Sequence, residues 1–255
     1  MIYETKNTQN AAPLFAGWEE TLIWSCLQGI MGCVYADDPD NPSSACAMLG
    51  DFSFFAGTPN TELLSFKPAG SAQNFMIMVP QTEDWKRAIL QTYKEKAKVI
   101  SRYATKKEAD AFNIEKLENA ALSLRHGYEI RMIDERLYHM CRSETWCTDL
   151  VSQFPDYKKY RELGLGVAAL KGGQIVSGAS SYSRYREGIE IEIDTKEAYR
   201  RQGLAFACGA KLILECLKRN LYPSWDAHNK GSLALAKKLG YHYSHTYTAV
   251  EIWGY

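Results

Sequence analysis

No stretch of the chain offers the ~20 consecutive apolar residues that a membrane-spanning helix requires, so no membrane partner is expected. The first residues, Met1 to Gln9, are polar and lack the basic-then-apolar layout of a signal peptide. Both absences point to a cytoplasmic protein. No pair among the seven cysteines has Cys-x-x-Cys spacing, which removes the usual zinc and redox-pair motifs. Several cysteines, such as Cys208 and Cys216, sit inside apolar runs and read as buried free thiols behaving as small hydrophobes. Net charge is also lacking, because 30 Lys and Arg balance 30 Asp and Glu. Basic residues are not clustered among stacking aromatics, so there is no sign of a nucleic-acid partner. The chain has no internal repeat, no Walker loop ending Gly-Lys-Ser/Thr and no dinucleotide loop of three spaced glycines. His242 and His245 lie three apart, but a metal would need two further ligands that the sequence does not supply, so no metal site is expected. No pattern specifies an oligomeric state.

What is present divides unevenly. From residue 121 onward 19 basic residues accompany 15 acidic ones, a mild excess that suits a polyanionic ligand. The run Asp37 to Ser44 is a loop signal, with two prolines among Asp, Asn and Ser. Before it, Trp18 to Val34 is apolar at helical spacing and predicts a helix. After it, Ala45 to Ala56 and Asn74 to Val79 predict strands. Thr82 can cap a helix reaching Lys98, with Glu83 and Asp84 in its first turn. Lys106 to Leu124 predicts a connecting helix. The expected domains are an N-terminal α/β unit over 1–120, structural or substrate-facing and without a chemical motif, and a second domain over 121–255.

The second domain is more explicit. Gly166 to Leu170, the turn at Lys171-Gly172-Gly173, and Gln174 to Tyr182 predict a hairpin. A polar turn at Arg184 to Gly188 leads to Ile189–Asp194, whose strict alternation is that of a strand with two unlike faces. A helix from Leu204 to Arg219 follows. Its polar residues Lys211, Glu215 and Lys218 form one narrow stripe, so most of it is expected to be buried. Asn220 suits a left-handed cap, and Leu221 to Ala227 predicts a strand. Asn229 caps a helix over Lys230–Leu239, closed by Gly240, and Tyr241 to Trp253 predicts the last strand or hairpin.

The chemistry lies where the alternating strand passes through Arg200-Arg201-Gln202-Gly203-Leu204-Ala205 into the buried helix. First-turn amides have no partner inside their helix, and the helix dipole adds positive charge there. Together they can hold a diphosphate. Gly203 lets an anion reach the backbone, Ala205 is small, and Arg200 and Arg201 add charge at the rim. A plain structural helix start is the alternative reading of the same residues.

At these residues the sequence resembles the GNAT superfamily of N-acetyltransferases. Arg200 to Ala205 fits the family loop Arg/Gln-x-x-Gly-x-Gly/Ala. Asn229, Ser232, Leu235 and Leu239-Gly240-Tyr241 fit its second element, Asn-x-x-Ser/Ala-x-x-Leu-x-x-x-Gly-Phe/Tyr. The runs GIEIEIDT, RRQGLA and WDAHN look like the zwittermicin A resistance group. The resemblance implies an α/β (α+β) fold with a mixed, mostly antiparallel sheet flanked by helices, and an N-terminal unit that is a degenerate GNAT-like half. It also implies acetyl-CoA as cosubstrate and a primary amine of a small molecule as acceptor. Backbone groups of Ile191 to Ile193 would pair with the pantetheine arm. The amides of Arg201, Gln202, Gly203, Leu204 and Ala205 would hold the pyrophosphate, with Arg200 beside them. Asn229 would meet the pantetheine, and Ser232 a phosphate or the pantetheine.

A backbone N–H near Ile193 is expected to meet the thioester oxygen, with Glu192 or Glu190 as the base. The alternative pairs these carboxylates with Arg184, Arg186 or nearby lysines. One departure stands out: the tyrosine that many members place after the motif leucine is Ala236 here. Tyr241, Tyr243, His228 or solvent would have to protonate the thiolate. An acyl-CoA-binding or sensing protein without transferase activity is therefore the second reading, and a ligand-free scaffold the third.

Overall fold

The computed structural model describes residues 1–71, 73–108 and 110–255. The chain forms two compact units, Met1–Arg102 with Thr246–Tyr255, and Tyr103–His245. In chain order the elements begin β1 (Tyr3–Glu4), α1 (Thr21–Leu27), β2 (Cys33–Ala36), β3 (Ser44–Leu49), β4 (Phe52–Gly57), α2 (Thr61–Leu64), β5 (Phe75–Pro80), α3 (Glu83–Tyr93) and β6 (Ala97–Thr105). They continue with α4 (Ile114–Leu122), β7 (Tyr128–Met132), α5 (Glu135–Ser143), α6 (Tyr157–Leu163), β8 (Gly166–Lys171), β9 (Gln174–Tyr185) and β10 (Gly188–Thr195). The last are α7 (Leu204–Leu217), β11 (Tyr222–Ser224), β12 (Asp226–Ala227), α8 (Lys230–Leu239) and β13 (Tyr243–Trp253). The chain passes between units along β6 and β13.

In the first unit the strand order is β1-β2-β3-β4-β5-β13. Neighbours are antiparallel except β4 and β5. Trp85 is fully buried among Phe55, Leu63, Met76, Met78 and Ile252. Its indole N–H still finds a partner, the Gly57 carbonyl at 2.8 Å, as a buried indole should. The helix expected over Trp18 to Val34 stops at Leu27, because Gly29 and Gly32 turn the chain at φ 65° and 76° into β2. The helix begun at Thr82, whose hydroxyl accepts from the Trp85 amide, ends at Tyr93 rather than Lys98. Lys94 adopts φ 47° and the chain then extends into β6.

In the second unit the sheet order is β11-β10-β9-β8-β7, antiparallel but for the β10–β11 pair. The fold is thus mixed and mostly antiparallel, with helices on its faces, as the sequence implied. Ile189 and Ile191 join Val167, Ala169, Cys208, Leu212 and Ile213 in one buried cluster with α7. Gly209 permits that approach: a Cβ there would meet Leu239 Cδ1 at 2.8 Å and Ile193 Cδ1 at 3.3 Å. Tyr138, Phe154 and Tyr160 pack together from α5, α6 and the segment between them, and Tyr160 bonds Ser180 of β9 at 2.9 Å.

Three sequence expectations shift here. The turn at Arg184 to Gly188 shrinks to two residues, because β9 runs through Tyr185. Leu221 to Ala227 is two strands broken at Trp225. The helix expected over Lys106 to Leu124 is only Ile114–Leu122, capped by Asn113, and position 109 in that span lies outside the described residues. This helix packs on α7 and contributes Leu117 and Ala120 to the second unit's core. The units therefore divide at Arg102/Tyr103, and the expected border at 120/121 falls inside α4. No helix among the described residues is long and apolar enough to cross a membrane.

Candidate active site

The site is assembled where β10 loses its neighbour. β10 pairs with β11 only from Gly188 to Glu190. Trp225 then breaks the strand, and β12 pairs with β6 instead. At the same level the register of β10 against β9 slips: Glu190 faces Ser183 and Ile191 faces Ser181, so Tyr182 bulges out. Such a bulge bends the strands locally. Beyond Glu190 the β11 side of β10 has no paired strand among the described residues. This open edge holds Ile191, Glu192 and Ile193. The Ile193 amide donates to the Glu192 carboxylate at 3.2 Å.

The far end of β10 is fastened firmly. The Ser177 hydroxyl meets the Asp194 carbonyl at 2.9 Å and the Thr195 hydroxyl at 2.7 Å, and the Lys196 amide bonds the Val176 carbonyl at 3.0 Å. Burial, and then the charge of Asp149, push the Asp194 carboxyl up to about 6, against a smaller opposing pull from Arg200. Arg200 also reaches back through Nε to the Thr195 carbonyl at 3.3 Å.

The loop into α7 has an unusual backbone. Arg201 and Gly203 are both left-handed, at φ 61° and 85°, and alternations of this kind gather successive N–H groups into an anion-binding concavity. The amides of Arg201, Gly203, Leu204 and Ala205 donate to no protein atom among the described residues. No side chain caps the helix. A Cβ built on Gly203 would meet nothing within 4 Å. The amides open on a cavity of about 480 Å³ lined by Tyr199, Arg200, Arg201, Gly203, Leu235 and Lys238 among others, a size suited to a small organic ligand. Gln202 does not face that space freely. Tyr128 donates to its Oε1 at 2.8 Å and its Nε2 donates to the Ala198 carbonyl at 3.3 Å. Lys171 lies over the rings of Tyr128 and Tyr199. The side-chain tether to Tyr128, 74 residues away in sequence, carries no local sequence signal.

Asn229 caps α8 by accepting from the Ser232 amide at 2.9 Å. The Ser232 hydroxyl accepts from the Trp225 indole at 3.0 Å. Asn229 caps, and Ser232 stands on, the helix that also lends Leu235 and Lys238 to the cavity wall. Glu190 and Glu192 part company. Glu190 is buried, and its Oε1 accepts from the Asp226 amide at 2.7 Å. Glu192 remains half-exposed on the open edge.

Ala236 is fully buried. Tyr241 does not replace the absent tyrosine: it is buried, donates to the Pro223 carbonyl at 2.5 Å, and burial drives its ionisation well above the ordinary range. His242 pairs with Glu108 at 2.6 Å and His245 with Ser244 at 3.1 Å. Among the described residues no group of three or more His, Cys, Asp or Glu could hold a metal.

A strand that splays from its neighbour beside an amide-lined helix start defines a GNAT fold. A family profile described as GNAT acetyltransferase matches residues 12–250, and the chain belongs to that family. It is similar to a GCN5-related N-acetyltransferase-like protein of Streptococcus suis, with 45% identity over 97% of this chain and 98% of that one and a TM-score of 0.91. It is 29% identical over 241 residues, 87% of this chain and 86% of its relative, to the uncharacterized N-acetyltransferase YdfB of Bacillus subtilis strain 168. A tandem GNAT protein from the clavulanic acid biosynthesis pathway shares the fold, with 7% identity, a TM-score of 0.55 and coverage of 100% of this chain and 99% of that chain.

Proposed function

We propose that this protein is an acetyl-CoA-dependent N-acetyltransferase acting on a primary amine of a small molecule. The observation that carries the reading is the set of unpartnered amides of Arg201, Gly203, Leu204 and Ala205, residues that line one cavity, where a Cβ on Gly203 would meet nothing within 4 Å. That arrangement fits a diphosphate, since fixed N–H dipoles at a helix start bind anions with no reorganisation. Arg200, Arg201 and Lys238 at the rim add the countercharge.

When bound, acetyl-CoA supplies an acetyl group activated as a thioester. The open edge of β10 at Ile191 and Ile193 offers backbone groups to the amide-bearing pantetheine arm, as an added strand would use them. Asn229 and Ser232 contact that arm or its phosphate from α8, across the cleft opened at Trp225. Glu192 takes one proton from the acceptor ammonium, leaving the nitrogen its lone pair; the nitrogen forms the C–N bond and gives up its second proton to solvent as the C–S bond of the thioester breaks. The Ile193 N–H, now held by Glu192, becomes a donor to developing negative charge once that carboxylate turns to the amine. With Ala236 at the usual tyrosine position, the departing thiolate takes its proton from solvent; a free thiol ionises near pH ~8.5, so thiolate departure is not prohibitive. The likeness of GIEIEIDT, RRQGLA and WDAHN to the zwittermicin A resistance group favours a small-molecule acceptor. The matching span in the tandem protein favours a GNAT-like origin for the first unit.

Ala236 favours one second reading, an acyl-CoA-binding or sensing protein that does not transfer. Titration calorimetry with acetyl-CoA, followed by release of free thiol across a panel of small amines, tests both. Binding with amine-dependent thiol release supports the transferase. Binding without release supports the sensor, and absence of binding refutes both.

A further inference from the structure

Glu190 sits at a meeting point of three features. It is the last residue of β10 paired with β11, it borders the register slip against β9, and its carboxylate accepts from the Asp226 amide at 2.7 Å. Ser224, its cross-strand neighbour, is the last residue of β11, and Asp226 is the first of β12, which belongs with β6. The Asp226 N–H therefore donates to a side chain of β10 where a continuing parallel ladder would offer a backbone carbonyl. Glu190, Ser183 and Ser224 are all buried. Leaving the Asp226 N–H without an acceptor beside them would cost the full desolvation of that group.

We infer that Glu190 is a positioning residue that pins the divergence of β11 and β12, and so holds open the edge of β10 at Ile191 to Ile193. The carboxylate lets the chain leave the ladder without orphaning an amide. The strands stay apart because the hydrogen bond that would draw them together is already satisfied by a side chain. What this role requires of the position is an oxygen acceptor one glutamate length from β10. Glu190 thus differs from Glu192, whose carboxylate stands on the open edge itself.

Two conservative variants separate acceptor geometry from charge. Glu190→Gln keeps an oxygen at the same reach and loses the charge. Glu190→Asp keeps the charge and draws the oxygen back by one methylene. The first readout is amide hydrogen exchange at Asp226, which does not depend on the proposed reaction. The second is the dissociation constant for coenzyme A, which rests on the acetyl-CoA reading. Exchange at Asp226 stays near the wild-type rate in Glu190→Gln and rises about tenfold in Glu190→Asp, the scale of one hydrogen bond. Coenzyme A affinity falls in parallel, only in Glu190→Asp, and kcat at saturating acetyl-CoA is kept in Glu190→Gln. The inverse order, equal exchange in both variants, or a kcat collapse in Glu190→Gln would overturn the assignment. Should coenzyme A bind neither variant nor the wild type, the functional reading fails and the exchange result still decides the role of Glu190.

Discussion

Gly203 is the position at which the cradle can be filled without disturbing its walls. A substituted Cβ meets no protein atom within 4 Å, and Gly203 lines the cavity together with Arg201, Leu204 and Ala205, so the new side chain takes up space there. Two costs must be separated. The first is backbone strain, because Gly203 is at φ 85° and a left-handed conformation costs an ordinary L-residue about 1–2 kcal/mol. The second is loss of ligand contacts. Gly203→Val incurs both, whereas Gly203→Asn largely escapes the first because asparagine tolerates this region. For the valine variant the strain lowers the melting temperature by roughly 2–8 °C in a chain of this size. The asparagine variant melts close to the wild type. Both lose coenzyme A affinity. If two charge-assisted hydrogen bonds at about 1.5–3 kcal/mol each are forfeited, the loss is about two to four orders of magnitude. Differential scanning fluorimetry and titration calorimetry with coenzyme A read the two costs independently. Wild-type affinity in Gly203→Asn would refute the cradle and the functional reading with it.

Glu192→Gln lowers kcat about 10²–10⁴-fold and leaves the coenzyme A dissociation constant unchanged; a rate within twofold of wild type removes Glu192 from the base role. Tyr128→Phe deletes the bond to Gln202 at 2.8 Å, so coenzyme A binding weakens roughly three- to tenfold with kcat preserved, as steady-state kinetics under varied acetyl-CoA would reveal. Asp194 gives a pH signature. Burial and Asp149 raise its folded pKa to about 6 from 3.8, so the fold prefers the protonated acid. The stabilisation from that proton is complete below pH ~4 and disappears as pH rises through ~6. Asp194→Asn, permanently neutral, therefore melts higher than wild type at pH 7.5, by an amount worth about 1–3 kcal/mol, and the two converge near pH 4. A constant difference between melting curves across this range would show that titration of Asp194 is not the cause.

Local pattern carried the sequence reading furthest in the second unit. Alternation in Ile189–Asp194 assigns Ile189 and Ile191 to the core shared with α7. Asn220 at φ 56°, Gly240 at φ 114° and the Asn229 cap are fixed by short-range chemistry, and that kind of information lies within a few residues. The loop from Arg200 to Ala205 was legible for the same reason. The span between β7 and β8 was not, because α5 and α6 are short and are held by tyrosine packing among Tyr138, Tyr157 and Tyr160. Helical spacing continues past Gly29 but α1 does not, because the backbone turns left-handed there. Long-range events stayed hidden too: the Tyr128–Gln202 tether spans 74 residues and the Glu190–Asp226 bond spans 36. Alternation places Glu190 and Glu192 on one face of a strand, and only the end of the β11 pairing distinguishes a buried acceptor from a carboxylate at the cleft.

The path of β13 has a bearing on biogenesis. β13 is the neighbour of β5 in the first unit, with Val250 opposite Met78 and Trp253 opposite Phe75, yet it is translated only after the whole of the second unit. A ribosome adding about 5–20 residues per second leaves the apolar strand FMIMVP with one flank uncovered for on the order of ten seconds. A nascent chain with a bare strand flank is a natural client for trigger-type holding chaperones and a hazard when many copies are made at once. Overexpression at low temperature with slowed initiation should therefore favour soluble product, and the quality of the first unit should depend on the last few codons read.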